Sequence, residues 1–120
     1  MKTILVVEDD PTMRELLKLH LTTAGYAVRT AGDGLEAGHA VLGLTPDLII
    51  TDVRMPHMNG FELVEALRQD PRLAGIPVIF LTIEGESVDR GTSLGALEYL
   101  AKPIQVERLL QKVAKHLPAT

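Results

Sequence analysis

Five side chains in this sequence could together carry chemistry that unrelated local turns would not assemble. They are Glu8 and Asp9 in "VVEDD", Asp52 at the end of "DLIITD", the hydroxyl of Thr82 closing "VIFLT", and the amine of Lys102 in "YLAKP". Acidic oxygens with no cysteine and no clustered histidine select a hard divalent cation, Mg²⁺ or Mn²⁺, that keeps several of its waters. Three carboxylates within ~5 Å of one another repel by several kcal/mol even at an effective dielectric near 20. A cation makes such a cluster tolerable, and an anion then binds only through it. Each residue also has a plainer use. Asp52 alone reads equally as a turn residue, Thr82 as a hydrogen-bonding strand end, and Lys102 as a solvated charge. Asp10, next to the acidic pair, is read as a helix cap and nothing more. The case for a site therefore rests on whether the fold brings the five together.

The elements that would do so are legible. Ile4–Val7, Leu48–Ile50 and Val78–Leu81 are short, nearly continuous apolar runs, the pattern of parallel strands covered on both faces. Two weaker strands are expected at Ala27–Thr30 and Glu98–Leu100. Asp10 and Pro11 open a helix with Met13, Leu16, Leu17 and His20 or Leu21 along one face, and Gly25 stops it. Asn59 caps another, with Glu62 three residues on as a capping-box partner and Phe61, Leu63, Val64 and Leu67 as its apolar side. A last helix runs from about Gln105 to His116. The segment from Glu86 to Leu94, weakened by Gly91, Thr92 and Ser93, is assigned to a helix because a parallel sheet needs a crossover there. Strand and helix alternate five times, which predicts an α/β fold: a doubly wound, five-stranded parallel sheet of flavodoxin-like (βα)5 type, strand order 2-1-3-4-5, in one domain over residues 1–120. In that order strands one, three and four are neighbours. Glu8, Asp9, Asp52 and Thr82 then converge at the carboxyl ends, where open α/β sheets bind their ligands.

With these pieces in place the chain resembles the response-regulator receiver domain. The acidic pair in "ILVVEDD", the "DVRMPHMNG" loop, the Thr ending "VIFLT", and "GALEYLAKP" occur in order and at the family's spacings across nearly the whole chain. The resemblance implies that Asp52 accepts a phosphoryl group from a phosphohistidine on a sensor histidine kinase or phosphotransfer protein. It implies that Asp9, Asp52 and the main-chain carbonyl of Arg54 ligate the cation directly, and that Glu8 acts mainly through water. Lys102 would pair with one phosphoryl oxygen and Thr82 with another, so that the chain catalyses its own phosphorylation and dephosphorylation without being a conventional enzyme. Tyr99 would swing from exposed to buried as Thr82 moves inward. Output would pass through the face made by the 86–94 helix, strand five and the last helix, to a downstream protein or a second copy. The Lys102–Pro103 peptide is expected to be cis. Three positions depart from the family's habit: Ile83 where a small residue is usual, Ile104 where Phe is common, and Arg54 two residues after the acceptor. Ile83, with an Arg54–Glu84 pair across the mouth, would crowd out water and lengthen the life of the phosphoryl group.

Two other readings stand beside this one. A receiver-shaped interaction module, its gate closed by Ile83, would never carry phosphate. A metal-dependent phosphatase would need a second acid two residues after its nucleophile, where Arg54 stands. Acids after strand one oppose a flavin phosphate, and neither G-x-x-x-x-G-K-[ST] nor G-x-G-x-x-G is present, which speaks against ATP and dinucleotides. A net charge of -4 without a basic run gives no nucleic-acid surface. Four consecutive apolar residues before the first acids are too few for a signal or a membrane span, so a cytoplasmic location is expected.

Overall fold

The computed structural model describes residues 1–55, 58–83 and 98–117. The expected helix at 86–94 and Glu84 lie outside the described residues. Five parallel strands, β1 (Thr3–Val7), β2 (Ala27–Ala31), β3 (Leu48–Asp52), β4 (Val78–Thr82) and β5 (Glu98–Ala101), form one sheet in the order β2-β1-β3-β4-β5. Helices α1 (Pro11–Thr23), α2 (Gly34–Gly43), α3 (Gly60–Arg68) and α4 (Val106–His116) cover it. The flavodoxin-like order read from the sequence is the order observed.

Apolar runs become central strands because alternate side chains enter opposite faces of the sheet. Leu5, Val7, Ile49, Val78 and Phe80 join the core beneath α2 and α3. Ile4, Val6, Leu48, Ile50, Ile79 and Leu81 join a second core with Leu17 and Leu21 of α1 and Leu109 and Val113 of α4. Every residue of β3 and β4 is buried, so a strand read as continuous apolar needs a layer on each side.

The helix starts follow their caps. Asp10 accepts from the amides of Thr12 and Met13 at 2.9 and 3.4 Å, with Pro11 at the first helical position. Beyond α1 the chain turns at Gly25, whose φ of 102° suits glycine. Leu16, expected on the apolar face of α1, is 44% exposed. The buried line is Leu17 and Leu21, four residues apart with Met13 packed against the same core, and Leu16 falls on its flank. Asn59 and Glu62 form the expected capping box, with bonds of 2.8 and 3.0 Å. The sequence reading gave α2 no bounds. Its cue was the same spacing, for Asp33 accepts from the Glu36 amide at 2.9 Å while Glu36 Oε2 accepts from the Gly32 amide at 2.9 Å.

Candidate functional site

Parallel register sets the site. Asp52 is level with Leu81 across β3 and β4, and Thr82 is level with Ala101 across β4 and β5. The Lys102 amide then donates to the Thr82 carbonyl at 2.7 Å, carrying the lysine out beside the acids. Its Nζ lies 2.8 and 2.9 Å from the two oxygens of Asp52 and 3.5 Å from Glu8 Oε1. The Lys102–Pro103 peptide is cis, as expected. Glu8, Asp9 and Asp52 each offer an oxygen within 4.8 Å of the others, forming the acidic group found among the described residues. Glu8, Asp52 and Thr82 are buried, whereas Asp9 is exposed.

Electrostatics follow from that crowding. Burial, reinforced by a hydrogen bond and the charge of Asp52, pushes the Glu8 carboxyl up to about 8, although Lys102 pulls the other way. Burial alone would lower the Lys102 amine, but its bonds to Asp52 and Glu8 outweigh that and hold it above its ordinary value. Glu8 Oε2 is buried and has no hydrogen-bond partner among the described residues. An oxygen-only donor set, three converging acids and one orphaned buried oxygen together fit a hard divalent cation.

Two residues that sequence reasoning passed over support this geometry. Arg14 donates from Nη1 to the Glu8 carbonyl at 3.0 Å and so fixes the end of β1. Its signal was a cation one helical turn after Asp10. Gly60 donates to the Val53 carbonyl at 2.8 Å, and a Cβ there would collide with the Asp52 carbonyl oxygen. Only glycine lets the loop return so close to the strand end. Other expected site residues stand further out. Arg54 is exposed, and Ile83 is 41% exposed just beyond Thr82. Tyr99 is half-buried and stacks on Phe80, with ring centroids 5.9 Å apart. Thr82, Tyr99, Lys102 and Arg108 share a cavity of about 360 Å³.

Residues 4–114 match the family model of the response regulator receiver domain. The DNA-binding dual master transcriptional regulator RpaA of Synechocystis sp. is 40% identical over 122 residues, covering 100% of this chain and 51% of that protein. The chain thus spans about half the length of the curated relatives it matches. A putative response regulator from Chloroflexus aurantiacus superposes with a TM-score of 0.90 at 38% identity, with 98% of each chain covered. The receiver domain of the sensor histidine kinase PA1611 from Pseudomonas aeruginosa gives 0.87 at 28% identity over 98% of each chain, and that structure has a magnesium ion coordinated in its active site cleft. A carboxylate presented by β3 between an acidic pair and a lysine, on this strand order and with these relatives, places the chain in the response regulator receiver domain family, the phosphoacceptor domains of two-component signalling.

Proposed function

We propose that this chain is a phosphoacceptor switch in which Asp52 takes a phosphoryl group from the phosphohistidine of a sensor kinase or phosphotransfer protein. The observation that carries the reading is Lys102 Nζ bridging both oxygens of Asp52 at 2.8 and 2.9 Å, with Glu8 and Asp9 alongside. An oxygen of Asp52 attacks phosphorus, the phosphorus–nitrogen bond breaks, and the leaving imidazole takes up a proton. Asp9, Asp52 and the Arg54 carbonyl would hold Mg²⁺ or Mn²⁺, with Glu8 acting mainly through water. When bound, the cation neutralises charge on the transferring oxygens. Lys102 gives up one Asp52 contact to pair with a phosphoryl oxygen, and the Thr82 hydroxyl donates to another. The chain supplies positioning and charge, which is most of what phosphoryl transfer requires. Loss of the phosphoryl group to water at the same site resets the switch.

Thr82 and Tyr99 line one cavity, so movement of the Thr82 hydroxyl toward the new anion changes the space beside the Tyr99 ring. We assign the output to a downstream protein or a second copy, docking on the face of β5 and α4. The DNA-binding name belongs to a relative about twice this chain's length. At a net charge of -4 we assign DNA contact to none of the residues here. No helix among the described residues is long and apolar enough to cross a membrane.

The test is incubation with a small acyl phosphate and Mg²⁺, followed by intact mass. Wild type should gain one phosphoryl group, and the gain should vanish in EDTA and in Asp52→Asn. Equal labelling of that variant, or labelling indifferent to EDTA, removes the assignment. A chain that no donor labels supports the interaction-module reading instead.

A further inference from the structure

The face formed by α2 and α3 lies away from the chemistry above and carries a surface that this chemistry does not use. A cavity of about 350 Å³ opens between the two helices, with Leu35, Gly38, His39 and Leu42 of α2 on one side and Ala66 and Leu67 of α3 among the residues on the other. A second cavity of about 500 Å³ adjoins it, sharing Met58 and Ala66, and is lined by Glu62, Glu65 and Gln69. Single exposed leucines are ordinary on protein surfaces. Leu35 and Leu42, however, are 60% and 68% exposed, stand seven residues apart on one helix, and border one cavity. Between them, a Cβ added at Gly38 would meet nothing within 4 Å. The stripe is therefore apolar at its ends and open at its middle, a shape that admits the ridge of another helix.

We propose that the α2–α3 groove docks one amphipathic helix of a partner protein, its apolar ridge in the groove and its flank carrying Lys or Arg. Charge decides the kind of partner. Glu62 and Glu65 stand along the α3 side, and Asp70, paired with Arg72 at 2.9 Å, lines the groove. A second copy of the chain would set the same acids against one another, whereas a basic flank meets them with opposite charge. Among the described residues lining the groove, His39 is the basic side chain.

The experiment titrates the isotope-labelled chain with a synthetic helical peptide bearing leucines at i, i+3, i+4 and i+7 and lysines beside them, following backbone amide resonances. Shifts should gather in Leu35–Leu42 and Met58–Gln69. Replacing the peptide's lysines by glutamates should weaken binding about tenfold. Gly38→Leu fills the groove and favours the helix, so the variant should fold at least as well and bind about tenfold more weakly. Glu65→Lys should narrow the difference between the two peptides. Absence of binding, shifts on other faces, equal affinity for both peptides, undiminished affinity of Gly38→Leu, or self-association of the free chain burying the same amides would each overturn the proposal.

Discussion

The three acids differ because their surroundings differ. Glu8 is buried and pushed toward neutrality, Asp9 is open to solvent, and Asp52 is held by Lys102. Such crowding favours a bound cation, and among the described residues the buried Glu8 Oε2 has no hydrogen-bond partner. Which residue types would gather was legible in the sequence, since strand ends could be read from apolar runs. Arg14 was not, because its role lies in a bond to a main-chain carbonyl six residues away, which no side-chain pattern announces. The stacking of Tyr99 on Phe80 was equally hidden, since it depends on which residues lie level across β4 and β5. At this scale the lifetime of the phosphoryl group is the property to test. Ile83 is β-branched and stands beside Thr82, and Arg54 stands two residues after Asp52. Ile83→Ala and Arg54→Ala should each speed decay of the phosphorylated chain by about three- to tenfold, equivalent to ~0.7–1.4 kcal/mol on the barrier. Faster labelling of Ile83→Ala with unchanged decay would make Ile83 a gate for entry and refute its role in excluding water.

Elements were legible wherever a cap marked their start. Asp10 with Pro11 located α1, and the Asn59–Glu62 box located α3, to within a residue. The same cue at Asp33–Glu36 was present but unused, and α2 consequently had no bounds. Apolar spacing overstated the buried face of α1 at Leu16, because a helix against a sheet buries a narrow line and leaves its flanks wet. The loop between β3 and α3 had the opposite problem. Its Met, Pro and Gly residues suggested a turn, but not that Gly60 must touch the backbone of Asp52. Gly60→Ala should therefore destabilise the chain by about 2–3 kcal/mol, measured by chemical denaturation, since a collision with backbone has no soft side chain to yield. Unchanged stability would mean that the loop stands off the strand.

For the whole molecule, α4, whose Leu109 and Val113 enter the core, is also tied to the sheet edge by one carboxylate. Glu98 of β5 accepts from Lys112 and Lys115, each at 3.1 Å, and lies 3.4 Å from His116 Nε2. Those bonds, Lys112 first, hold its carboxyl down at about 2 from an ordinary 4.5. A depressed acid stabilises the fold fully above its unfolded value and loses that contribution as pH falls through its folded value. Wild type should thus exceed Glu98→Gln by about 1–2 kcal/mol near neutrality, in the range expected for a partly screened network. The gap should close as pH falls from 4.5 toward 2, followed by denaturation at each pH. A gap independent of pH would show that Lys112 and Lys115 do not act through the charge of Glu98. The central claim, that Asp52 is the residue this fold exists to present, has a more direct test. Borohydride reduces an aspartyl phosphate to homoserine, so the labelled chain can be reduced, digested and sequenced by mass spectrometry. Homoserine should appear at position 52 and nowhere else; homoserine at Asp9 or Asp10, or labelled chain with aspartate intact at position 52, would contradict the account.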